Sequence, residues 1–248
     1  MDDVTERDAF LHIAPELIMF LPVSRRRESQ PITPDGSSTL GHHVESVGIP
    51  LTEVGPMTVG SCGVSPSYLP EPGDVVRVEA VPRPQQLPAE PRFLLDVHLG
   101  TLARRLRLLG IDTAYHNDMD DPSLVIQANE EHRVLVTQDR GLLRRRALWL
   151  GAYVRGSRPD DQLRDLLGRF APPLRPWTRC TACNGELSPV SKHEVAPLLE
   201  AGTRRTYDVY GRCHDCGQIY WHGAHSERLR HIVRSAQEWA GSHGAVRP

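Results

Sequence analysis

The sequence predicts a mixed α/β protein centred on a doubly wound parallel sheet, with a small α+β unit before it and a cysteine-rich unit after it. Three observations carry this expectation. Between residues 92 and 173 short apolar runs alternate with helical patterns, as strands joined by helical crossovers do. A proline-rich stretch at 82–91 separates that region from an acidic N-terminal part. Two Cys-x-x-Cys pairs, Cys180/Cys183 and Cys213/Cys216, follow it. The expected divisions are 1–84, a semi-rigid extended linker at 85–91, 92–173, 174–225 and a tail at 226–248.

In the first unit the patterning predicts a strand at 9–14, a helix at 39–47, a strand at 57–59, and an alternating, half-buried strand at 75–81 after the turn Glu71-Pro72-Gly73-Asp74. This order suggests a β-grasp. The segments Glu16-Leu17, Phe20-Leu21-Pro22 and Pro72-Gly73-Asp74-Val75-Val76-Arg77-Val78 resemble those of ubiquitin-like and sulfur-carrier domains. Carriers need a free Gly-Gly tail, whereas this unit runs on into proline, so the expected role is binding or regulation. Cys62 is expected to be a small buried filler.

The second unit begins with Phe93-Leu94-Leu95-Asp96, a buried strand ending on a carboxylate. A helix at 97–109 follows, with Leu99, Leu102, Ala103 and Leu106 at helical spacing and Arg104, Arg105 and Arg107 largely off that stripe. Gly110 ends it. Strands at 111–115, 134–137 and 152–155 alternate with helices at 122–132, 141–148 and 161–169. Asp121 is expected as the N-cap of the first of these helices, with Pro122 in its first turn. Leu229, Ile232, Val233, Ala236 and Trp239 predict a terminal amphipathic helix.

At 248 residues, 39% hydrophobic and 24% charged, the chain is ordinary globular material of two or three domains. No apolar run approaches the length of a membrane helix and the first residues are acidic, so the expected location is the cytoplasm. Charge is uneven: residues 1–90 hold 6 basic and 13 acidic side chains, the remainder 23 and 18. Only the later part could face a polyanion.

Asp96, Asp120 or Asp121, and Asp139 each follow a strand, so a parallel sheet would bring their carboxylates to one edge. Like charges so placed favour a shared cation, and hard oxygen donors without His or Cys suit Mg²⁺ or Mn²⁺. Asp139 could also cap the helix after it. The run 93–110, then Asp120-Asp121, then Val134-Leu135-Val136-Thr137-Gln138-Asp139 and the cysteine pairs together resemble the PIN-type nuclease domain fused to a zinc ribbon. That family is named for the C-terminal part of the Mut-seven exonuclease, and its members often carry a ubiquitin-like domain in front. The resemblance implies a Mg²⁺- or Mn²⁺-dependent endoribonuclease with Asp96, Asp121 and Asp139 as its acidic residues. A fourth family carboxylate would fall near Asp160 or Asp161. Gln138 stands where a basic residue is expected and His98 where an apolar one is.

Arg104, Arg105, Arg107, Arg140, Arg144, Arg145 and Arg146 form a basic cluster expected to flank the same crevice and hold RNA phosphates. Cys180, Cys183, Cys213 and Cys216 are read as one tetrahedral Zn²⁺ site, structural because four thiolates leave no open position. Tyr207, Tyr210, Tyr220 and Trp221 could stack on bases or form the ribbon's small core. Metal-dependent RNA hydrolysis, on a structured RNA such as tRNA or rRNA, is the leading expectation; a non-catalytic RNA-, tRNA- or ribosome-binding protein is the alternative. A phosphoryl-accepting receiver would need a late-strand lysine, and Lys192 is the chain's only lysine.

Overall fold

Period-two alternation builds the N-terminal sheet. In β1 (Ala9–Ile13) Ala9, Leu11 and Ile13 are buried while His12 faces solvent, as a half-covered strand requires. The computed structural model describes residues 8–221, 223 and 226–244. β2 (Ser29–Ile32), β3 (Val54–Val59), β4 (Cys62–Val64) and β5 (Val75–Ala80) complete a five-stranded sheet in the order β2-β1-β5-β3-β4. β1 and β5 are parallel, and the other pairings are antiparallel. α1 (Leu40–Ser46) starts where the Thr39 hydroxyl accepts the His42 N–H, and it adds Leu40 and Val44 to the core. Cys62 is exposed on edge strand β4, which overturns its reading as a buried filler.

Phe93, Leu94 and Leu95 of β6 (Phe93–Leu95) are fully buried. β6 is followed by a 3-10 turn (Val97–Leu99) and then α2 (Gly100–Leu108), so the expected helix begins three residues late. The Val97 carbonyl, which a longer helix would use internally, instead accepts the Tyr115 hydroxyl from the neighbouring strand at 2.8 Å, and a Cβ on Gly100 would meet that hydroxyl at 2.7 Å. β7 (Thr113–Tyr115), α3 (Asp121–Glu130) and β8 (Val134–Thr137) follow. β6 pairs in parallel with β7 and with β8, setting Leu95 opposite both Tyr115 and Val136.

α4 (Arg140–Leu143) is one turn instead of the expected two, because the exposed Arg144-Arg145-Arg146 run offers no face to bury. β9 (Gly151–Tyr153) comes next, and the strand order is β7-β6-β8-β9. α5 (Pro159–Phe170) closes this region.

β10 (Leu187–Val190), α6 (Lys192–Val195), α7 (Ala201–Thr206), β11 (Tyr210–Cys213) and β12 (Ile219–Trp221) form the ribbon, whose strands pair antiparallel in the order β10-β11-β12. α8 (Ser226–Gly244) packs against α5 and α2, burying Val233 and Ala236, with the Arg164 guanidinium 5.6 Å from the Trp239 ring. The terminal helix therefore docks on its own chain.

The chain forms two compact units, Met1–Pro82 with Thr137–Tyr153, and Arg83–Val136 with Val154–Pro248. Among the described residues no helix is long and apolar enough to cross a membrane.

Candidate functional site

At the carboxyl end of β6, the Asp96 N–H donates to the Val136 carbonyl at 3.0 Å. Its carboxylate, nearly buried, accepts the Val97 N–H at 2.6 Å. A charge in so little water demands polar company, and the turn supplies part of it.

The next acidic pair divides its labour differently from the sequence expectation. Asp120, not Asp121, is the N-cap of α3: its Oδ1 accepts the Ser123 N–H at 2.9 Å, and Ser123 holds its pKa below the usual carboxylate range. Asp121 is the first helical residue, so its carboxylate is not the cap. Pro122 lies in the first turn beside it, as expected. Asp139 is exposed and caps α4, accepting the Gly141 N–H at 2.6 Å and the Leu142 N–H at 3.3 Å. Asp160 forms an ion pair with Arg105 at 2.6 Å.

The predicted arginine cluster splits. Arg104 is exposed and lines a hollow of about 330 Å³ with Tyr115, His116 and Asn117. Arg105 is buried on Asp160. Arg107 is buried too: Nε donates to the Thr113 carbonyl at 2.8 Å, and Nη1 to the carbonyls of Ala182 and Thr181 at 2.7 and 3.3 Å. Arg140 donates to the carbonyls of Phe20 and Met19 at 2.8 and 3.0 Å. Arg105, Arg107 and Arg140 are thus committed to protein contacts, while Arg104 and the run Arg144-Arg145-Arg146 are exposed on the surface. For α2 the reason is that Leu102, Ala103, Arg105, Leu106, Arg107 and Leu108 are all covered, so the helix is buried on more than one face.

The sulfurs of Cys180, Cys183, Cys213 and Cys216 all lie within 4.8 Å of one another, and no carboxylate group among the described residues gathers so closely. Cys180 and Cys216 are 3.7 Å apart, and Cys183 and Cys213 3.4 Å. The Gly185 N–H points at the Cys183 sulfur and the Cys183 N–H at Cys180, so main-chain donors stand ready for thiolate charge. Burial works against the Cys180 thiolate, but the Tyr220 hydroxyl at 3.0 Å and nearby N–H groups bring its pKa down to about 7. Burial pushes Cys183 up to about 12. Such crowded, inequivalent thiols fit a tetrahedral soft-metal site such as zinc's. Tyr220 thereby serves the cluster, and Tyr210, buried, donates to the carbonyls of Thr203 and Tyr207.

Sequence reasoning missed Asp112. Its Oδ1 accepts Arg133 Nη1 at 2.6 Å and Asn184 Nδ2 at 2.8 Å, and its Oδ2 accepts Arg92 Nε at 3.2 Å. It thus ties the start of β6, the entry to β8 and the first cysteine knuckle together. Its only sequence signal was an acid near the start of the expected strand at 111–115.

An α/β domain with acids at its strand ends, a four-thiol knuckle behind it and a ubiquitin-like domain before it is nuclease-like in class. The family model of the Mut7-C RNAse domain matches residues 91–233, and that of the Mut7-C ubiquitin domain matches residues 7–86. The chain belongs to the Mut7-C RNAse domain family. No curated protein matches it.

Proposed function

We propose that the chain is a Mg²⁺- or Mn²⁺-dependent endoribonuclease acting on structured RNA such as tRNA or rRNA in the cytoplasm. Asp96, Asp121 and Asp139 are its metal-holding carboxylates. The observation that carries this reading is Asp96, a nearly buried carboxylate at the end of β6 whose own N–H is pinned to the neighbouring strand at Val136. Asp120 is committed to capping α3 through the Ser123 N–H, so Asp121, the first residue of that helix, is preferred over it as the companion of Asp96. Hard oxygen donors suit Mg²⁺, which keeps several waters and needs only one or two direct carboxylates. The bound ion would lower the pKa of a water and stabilise charge on the phosphoryl oxygens. The chain's own contribution is orientation: backbone N–H groups fix the carboxylates of Asp96 and Asp139 before any ion arrives. The four thiols, leaving no open position, give their zinc a structural role.

Incubation of the purified chain with a folded, end-labelled RNA and Mn²⁺ should yield internal cuts. Asp139→Asn should abolish them while leaving the melting temperature unchanged. One observation favours a second reading, RNA binding without turnover: Asp160, at a position the resemblance gave to a fourth acid, is spent on Arg105. Tight binding without cleavage in Mn²⁺ would establish it.

A further inference from the structure

Residues 137–153 lie within the stretch matched by the RNAse-domain model, yet they belong to the compact unit of the ubiquitin-like domain. Specific contacts hold them there. The Arg140 guanidinium donates to the carbonyls of Phe20 and Met19 and sits 5.3 Å from the Phe20 ring. Tyr153 meets that same ring edge-on at 5.1 Å, and its N–H donates to Glu53 Oε1 at 2.8 Å. Glu53 is 1% exposed. The segment is therefore anchored on both sides of Arg144, Arg145 and Arg146.

Between those arginines and α1 lies a hollow of about 470 Å³, within the range of about 300–1,000 Å³ usual for ligand sites. His42 forms part of the α1 wall, and Glu45 is the single carboxylate among the lining residues. The guanidinium groups of Arg144 and Arg146 against one carboxylate leave the hollow positive inside a domain that is otherwise acidic. Planar guanidinium forks match phosphate oxygens.

We propose that this hollow seats the phosphate backbone of RNA, with the ubiquitin-like domain as one of its walls. The inference rests on RNA being the substrate. It gives the N-terminal domain a direct part in holding RNA, in place of carrier chemistry or the recruitment of another protein. The acidic balance of residues 1–90 makes that part local: RNA meets this domain only where the arginine wall supplies the charge.

The test is fluorescence anisotropy of a labelled folded RNA with a single-stranded tail and the full chain, in Mg²⁺-free buffer across a salt series. Replacing both Arg144 and Arg146 with Ala should raise Kd about tenfold and reduce the salt slope by about 1.4, since each single-strand phosphate contact contributes about 0.7. His42→Glu, on the ubiquitin-like wall, should raise Kd several-fold with the melting temperature unchanged. Wild-type binding by His42→Glu overturns the proposal while leaving the ribonuclease reading intact. So does displacement of the RNA from wild type, but not from the arginine variant, by a polyglutamate peptide with higher affinity than RNA. An unaltered chain that binds no RNA removes both.

Discussion

Arg107 donates from Nη1 to the Ala182 main-chain oxygen at 2.7 Å, so a buried guanidinium of α2 clasps the first cysteine knuckle. Burial pulls its pKa down, and the thiols of Cys183 and Cys180 pull it back. A divalent metal held by four thiolates would leave the cluster negative, and Arg107 would stand beside it as a positive charge. Arg107→Met should remove three hydrogen bonds to carbonyls, cost about 1–3 kcal/mol and speed zinc loss to a chromophoric chelator. An unchanged melting curve and release rate would contradict this role.

Asp112 sets an acid limit. Burial raises its pKa, but the hydrogen bonds from Arg133 and Asn184 and the charges of Arg133 and Arg179 outweigh that and bring it down to about 2 from 3.8. A depressed folded value means the stabilisation is complete above pH 4 and disappears as pH falls from about 4 to about 2, amounting to about 2 kcal/mol. Denaturant titrations across that window should show the loss in wild type and a flatter profile in Asp112→Asn.

Gly110 has φ +78°, and a Cβ there would lie 2.0 Å from the Arg175 carbonyl oxygen. The chain entering the ribbon is laid directly on it, with the Arg175 and Trp177 N–H groups donating to Leu109 and Leu108. Gly110→Ala should cost at least about 2 kcal/mol, combining backbone strain with the displaced segment. A melting temperature equal to wild type would show that the contact is not tight.

Asp120 and Asp121 are separable by experiment. Asp120→Ala removes the cap of α3 and should lower the melting temperature while RNA cleavage persists. Asp121→Asn should leave the melting temperature alone and suppress cleavage. The reverse pattern would exchange their roles.

Much of this was legible in the sequence, for identifiable reasons. Phe93-Leu94-Leu95 and Val134-Leu135-Val136 are too uniformly apolar to be half-exposed, and both are buried parallel strands. The cysteine pairs fixed their own partners by spacing, and the thiols do converge. What a helical pattern could not reveal is how many faces a helix covers. Arg105 and Arg107, off the apolar stripe of α2, were read as RNA contacts and are instead part of its second packed face. Arg140 was read as an RNA contact because nothing local in the sequence links it to Phe20, which is 120 residues away and meets it only through tertiary packing. The cap slipped from Asp121 to Asp120 because adjacent acids satisfy the same local rule, and only the Ser123 hydrogen bond decides between them.

The most direct test of the account is Mn²⁺ titration calorimetry on the zinc-loaded chain and its Asp96→Asn variant, run beside an RNA cleavage assay. The account predicts a Mn²⁺ site in the wild type, its loss in the variant, and a fall in cleavage of at least about a hundredfold, with the zinc content and melting temperature of the two proteins equal. Wild-type Mn²⁺ affinity and wild-type cleavage in Asp96→Asn would contradict it.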